Sequence, residues 1–225
     1  MKKIAFIGGY DKTNLILYIA KILTVLGKKV LFVDTTLTKK TKYVLPKMGK
    51  GVNYITTFER IDIAIGFETL EQIEKYNQAR LDYDYVLVDI DSPLNYRNYR
   101  ISNEDLHFFV TGFDIYSLRR GVNVFKAFVK DTNVIKVYFS QNMTKAEDEY
   151  LNQLTNNEFV KWNNEIIYFP INMQDMEAIN QNERMAKIKF KGLTTTYFDS
   201  LQYVTEIVCG EGKSNVKKAM KFVDR

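Results

Sequence analysis

The sequence has 225 residues, 46% of them hydrophobic, and a formal net charge of +5. That length fits one α/β domain, and the apolar fraction is enough for a large core. The single cysteine, Cys209, excludes an internal disulfide and any cysteine-based metal cluster, and it fits a reducing compartment. The charge is mild and spread along the chain, which suits a solvated surface better than a dedicated nucleic-acid groove. The lysines near the N-terminus precede an apolar run too short for a signal peptide, and no stretch reaches the length of a membrane span. A cytoplasmic protein is expected.

In chain order, Ile4 to Ile7 is a short apolar run ending at Gly8-Gly9, the pattern of a buried parallel strand. Asn14 to Leu26 carries apolar residues at helical spacing and stops at Gly27. Lys29 to Val33 is a second strand, closed by Asp34. Residues 35–60 are polar and basic and are expected to form a loop with a short helix. Strands are predicted at 61–65, 85–88, 106–110, 134–139 and 166–169, and helices at 67–80, 116–130 and 145–154. The chain from Gln174 onward reads as helical. Alternation of strand and helix predicts a three-layer α/β sandwich, a mostly parallel sheet with helices on both faces, as one domain spanning 1–225. Ligands of such sheets sit at the carboxyl ends of the strands.

At the first strand end stands Gly8-Gly9-Tyr10-Asp11-Lys12-Thr13. A strand, a glycine-containing loop, Lys-Thr and a helix form the P-loop arrangement. Its backbone N–H groups and helix dipole receive phosphates, its lysine reaches the β- and γ-phosphates, and its hydroxyl holds Mg²⁺. The strict motif fails here, because Phe6 and Asp11 occupy its two glycine positions. By itself this hexapeptide is equally a plain strand-to-helix turn. Asp34, Asp89 and Asp91 at later strand ends are either Mg²⁺-side carboxylates or ordinary caps of turns.

The segment 4–34 resembles the opening of the ParA/MinD-family ATPases, whose loop usually reads K-G-G-x-G-K-T-[ST]. Here the stretch is Ile7-Gly8-Gly9-Tyr10-Asp11-Lys12-Thr13-Asn14. The glycine pair, Lys12 and Thr13 match. The family's signature lysine, which crosses the dimer interface, falls at Ile7. Asp34 matches the first acid of the second strand's D-x-D segment, while Thr36 replaces the second. The run Tyr83 to Pro93 is similar to the Walker B strand and switch, and Phe169 to Ala178 to the late Pro-x-Asp segment near the base. The resemblance covers about residues 1 to 180.

It implies a P-loop NTPase-like fold and an ATP or ADP site with Mg²⁺. Nucleotide contacts would come from Gly8, Gly9, Tyr10, Asp11, Lys12, Thr13, Asn14, Asn142 and Pro170, and metal contacts from Thr13, Asp34 and Asp89. It also implies a homodimer and a protein partner in a partition or assembly system. Asp11 brings a like charge toward the phosphates, Ile7 removes a cation and Thr36 an acid, so hydrolysis is expected to be weak or absent.

Two alternatives stay open. One is an active ATPase cycling between monomer and ATP-bound dimer on DNA or membrane. The other is a nucleotide-independent DNA-binding partition protein using Arg97, Arg100, Arg119, Arg120 and the lysines of residues 39–50. The stretch Asn95 to Arg100 suits a partner surface better than base stacking. Residues 210–225 form a basic amphipathic segment, either packed on the domain or weakly attached to a membrane surface. His107, the only histidine, is expected to be structural.

Overall fold

The computed structural model describes residues 1–46, 51–140 and 144–224. Eight strands form one sheet: β1 (Lys2–Ile7), β2 (Val30–Asp34), β3 (Tyr54–Phe58), β4 (Ile61–Ile65), β5 (Tyr85–Ile90), β6 (Leu106–Thr111), β7 (Thr132–Ser140) and β8 (Val160–Pro170). Their spatial order is β3-β4-β2-β5-β1-β6-β7-β8. Every neighbouring pair is parallel except β3 with β4. The helices are α1 (Thr13–Val25), α2 (Thr41–Val44), α3 (Leu70–Asn77), α4 (Pro93–Asn98), α5 (Ile115–Asn123), α6 (Lys145–Leu154), α7 (Met173–Met185), α8 (Thr195–Cys209) and α9 (Lys213–Val223).

Side-chain alternation along the strands feeds two cores. Ile4 and Phe6 of β1 join Phe32, Leu87 and Phe108 under α1, α8 and α9. Ala5 and Ile7 face the other way, with Val33, Val88 and Phe109, under α3 to α6. The three-layer architecture is therefore the one expected. Because β1 sits between β5 and β6, its end brings residues 8–13 beside Asp89 and beside the start of α5.

Several boundaries differ from the sequence expectation. Residues 54–58, expected as loop, form the edge strand β3, turned into β4 by Glu59 and Arg60, both at positive φ (51° and 69°). Two residues with positive φ make the tight hairpin whose twist matches the strands. The helix expected at 67–80 begins only after Thr69, whose side chain accepts from Gln72 N–H, and ends at Gln78 in the left-handed conformation. The helix expected at 116–130 stops at Asn123 and continues as a 3₁₀ turn over Val124–Ala127. The stretch after Asp91 is the short helix α4, with Ser92 accepting from Asn95 N–H and Pro93 in the first turn.

Two surface expectations change with this. Tyr96 and Tyr99 are buried in the second core; Tyr99 Oη donates to Phe67 O at 2.8 Å. They are closed to partner or base stacking. Arg97 donates to Lys126 O and Arg100 pairs with Glu71. At the C-terminus, Val216, Ala219, Met220 and Val223 of α9 are buried with α1 and α8, and Asp224 accepts from Phe190 and Lys191 N–H. The apolar face that would enter a membrane is thus core. No helix among the described residues is long and apolar enough to cross a membrane.

His107 is fully buried on β6, its Nε2 2.9 Å from Tyr96 Oη. Burial pushes its pKa down to about 4, against an opposing pull from Asp105. The unfolded chain binds a proton as pH falls through about 6.5, whereas the folded chain stays neutral until near the lower value. Stability should therefore fall by up to about 3 kcal/mol between these two pH values. Urea denaturation of the wild type and His107→Gln checks this: the variant should lack that component, and parallel curves would rule it out.

Candidate functional site

The loop after β1 is shaped by its glycines. Gly8 has φ +155°, and a Cβ there would lie 2.0 Å from the Val110 carbonyl oxygen of β6. A Cβ on Gly9 would lie 2.7 Å from Ser117 O of α5. Only glycine lets the loop pass this close to both elements. Gly8 N–H donates to Ile90 O at 3.0 Å, which anchors the loop to β5.

From there to the head of α1, the N–H groups of Gly9, Tyr10, Asp11 and Lys12 make no hydrogen bond among the described residues. Four free donors at a helix start, at the carboxyl end of a parallel strand, are the ingredients of an anion cradle. The cavity in front of them has a volume of about 270 Å³. Its wall brings together Gly8 to Thr13, Thr36, Lys40, Asp89, Asp91 and Arg120.

Lys12 is 1% exposed and bends back into this wall. Its Nζ lies 2.7 Å from Asp89 Oδ1 and donates to Gly8 O at 2.7 Å. Burial pushes the Asp89 carboxyl up to about 7; the Lys12 charge lowers it and Asp34 raises it further. Asp11 is engaged on the same wall: its Oδ1 accepts from Thr13 N–H at 3.1 Å, and its Oδ2 pairs with Lys40. Desolvation acts to raise the Asp11 pKa, but the bonds from Lys40 and Thr13 outweigh it and hold the carboxyl below its ordinary value. Asp91 Oδ2 accepts from Leu37 N–H at 3.1 Å and from Arg120 Nη2 at 2.8 Å.

A second cavity, of about 220 Å³, shares Tyr10, Asp11 and Lys40 with the first. It adds Asn14, whose Nδ2 donates to Glu183 Oε1 at 2.9 Å, and Pro170 at the end of β8. Apolar walls from Leu15, Phe139 and Ile179 meet polar groups from Asn172 and Asn180. Tyr10 stacks on Phe139 with ring centres 4.9 Å apart, at the junction of the two cavities.

Asp34 lies behind the cavity wall. Its Oδ1 accepts from the N–H and hydroxyl of Thr36 at 3.0 and 2.6 Å, and its Oδ2 from Thr41 N–H at 3.2 Å. Ile7 is fully buried in the second core, so the position of the family's lysine holds a core side chain. Asn142, Lys47 and Lys50 lie outside the described residues. Lys40 and Arg120 were not expected in a nucleotide-type site. Their only sequence signals are a basic loop and a basic pair after β6. Among the described residues, no three His, Cys, Asp or Glu side chains converge as a metal-binding group.

Three buried donors depend on Asp34. Asp34→Ala should therefore lower the unfolding free energy by about 3 kcal/mol, with Asp34→Asn losing less because one acceptor remains. Urea denaturation reads this directly; an unchanged midpoint would mean that Asp34 does not brace the loop.

No protein-family profile matches the chain, and no curated protein is similar to it in sequence. Solved structures are similar in shape. The cell-division protein MinD of Aquifex aeolicus has a TM-score of 0.57 at 16% identity, over 94% of this chain and 98% of that one. A McdA variant of Cyanothece in complex with ATP has a TM-score of 0.57 at 11% identity, over 94% and 97%. A Borrelia burgdorferi B31 protein assigned to plasmid partition, bound to AMPPNP, has a TM-score of 0.52 at 11% identity, over 98% of both. The β1 loop, the strand order and these likenesses agree: the chain has the ParA/MinD-like P-loop ATPase fold.

Proposed function

We propose that the chain is a positioning, partition or assembly factor that binds ATP or ADP with Mg²⁺ weakly and hydrolyses ATP slowly or not at all. The observation that carries this is the run Gly9 to Lys12, whose four N–H groups make no hydrogen bond among the described residues, lining a cavity shared with Thr13 and Asp89. The phosphates would take these donors and Lys12. Thr13 and Asp89 would hold Mg²⁺, which supplies charge neutralisation, while Asp34 keeps Thr36 and the following turn in place. The base would enter the second cavity beside Tyr10, Asn14 and Pro170. Nucleotide in two of the similar structures supports this use of the cavities.

Slow hydrolysis follows from charge. The signature-lysine position is the core residue Ile7, Thr36 stands for an acid, and every cation on the wall already has a carboxylate. The positioning role is supported by relatives in shape that are described as acting in cell division and plasmid partition. A homodimer closing over the cavity is supported by two exposed aromatic rings on its wall: Tyr43 and Tyr116 are 69% and 65% exposed.

Calorimetric titration with Mg²⁺–ATP and Mg²⁺–ADP, with steady-state turnover, tests the proposal. Weak binding of both and very low turnover are expected. Asp11→Gly frees Thr13 N–H and Lys40 and removes a like charge, so it should tighten ATP binding about tenfold. Absence of binding in both proteins would reject the nucleotide site, and turnover like that of an efficient ATPase would reject the slow-hydrolysis half.

A further inference from the structure

Three cations line the loop cavity, and each is matched to one carboxylate: Lys12 to Asp89, Lys40 to Asp11, Arg120 to Asp91. Lys12 belongs to the loop itself and Lys40 to the segment after β2. Arg120 comes from α5, on the wall across Gly9. Its approach is close: a Cβ added to Gly9 would lie 2.9 Å from Arg120 Cβ. The arginine is therefore positioned by the same glycine that shapes the loop.

Its hold on Asp91 is a single contact, Nη2 to Oδ2 at 2.8 Å, while Nη1 donates to Tyr116 Oη at 2.7 Å. Asp91 Oδ1 is buried and accepts no hydrogen bond among the described residues. The guanidinium thus lacks the paired fork that makes arginine–carboxylate contacts strong, and a phosphate offers it that fork. The exchange would set Asp91 Oδ2 free of Arg120 while it still holds Leu37 N–H.

We propose that Arg120 contacts the terminal phosphate of a bound nucleoside triphosphate, supplying from within the same chain a cation that position 7 lacks. This rests on the nucleotide site proposed above. The loop N–H groups serve the phosphates that ATP and ADP share and Lys12 reaches the β- and γ-phosphates, so a second cation, on α5, that meets the terminal phosphate adds to the distinction between the two ligands. Two-point recognition of phosphate by a charged donor is strong enough for that distinction to be measured.

The test titrates the full chain, Arg120→Ala, Arg120→Lys and Asp91→Asn with Mg²⁺–ATP and Mg²⁺–ADP by calorimetry, with thermal unfolding to verify folding. Arg120→Ala should weaken ATP binding by roughly tenfold or more and leave ADP within about twofold. Arg120→Lys should recover part of the loss. Asp91→Asn keeps an acceptor for Leu37 N–H but removes the competing charge, so it should tighten ATP and not ADP. Equal shifts for both nucleotides in Arg120→Ala, or an unchanged ATP-to-ADP ratio in Asp91→Asn, would overturn the assignment and leave Arg120 as a structural partner of Asp91. A wild type that binds neither nucleotide overturns the underlying site as well, which separates the two failures.

Discussion

Lys12 and Asp89 form an ion pair that is almost wholly out of solvent, with both side chains at 3% exposure or less. It ties the β1 loop to the end of β5 across the middle of the sheet. A buried pair of this kind contributes little net stability, because desolvation offsets most of the attraction; losing one partner alone costs about 3–5 kcal/mol. Any ligand entering the cavity must therefore replace both partners together. A phosphate that takes Lys12 leaves Asp89 to gain a proton or another cation in the same event. The pair would make anion binding and the charge state of Asp89 interdependent.

The same rule extends around the wall. Lys40 is engaged by Asp11 and Arg120 by Asp91, so among the described residues no cation on this wall waits unpaired for an anion. Charge in the empty cavity is balanced locally. The Asp11 carboxylate is not a bare charge beside the phosphates: it accepts from Thr13 N–H and holds Lys40. What it removes from the cradle is one backbone donor and one lysine. Its effect on affinity is competition more than direct repulsion, since its charge is already partly neutralised and half in water.

Much of the fold was legible because most core strands are short apolar runs closed by a glycine, proline or acid. Those runs are buried on both faces in β1, β2, β5 and β6, and β4 lies where it was expected. β3 was missed because Thr56 and Thr57 break its apolar pattern and an edge strand needs only one buried face. α4 was missed because six residues give no helical period, although Ser92-Pro93 is a start signal. Lys12, Thr13 and Asp89 were legible from loop spacing and strand ends. Lys40, Arg120 and the buried roles of Tyr96 and Tyr99 were not, because they meet their partners only when β1, β5 and β6 lie side by side. Arg120 and Asp91 are 29 residues apart in the chain.

That placement also explains how position 7 can be isoleucine. Ile7 is the last residue of β1, and its side chain points into the core under α5. A lysine there would have to leave that core or carry its charge within it, which is costly without a partner. With isoleucine, the core is continuous from Ala5 through Ile7 to Leu118 on α5. α5 can then pack down on the loop, bringing Ser117 and Arg120 against Gly9. The isoleucine at the strand end and the arginine on the helix are two parts of one packing arrangement. The place of Arg120 on the cavity wall is thus set by how closely α5 approaches the β1 loop.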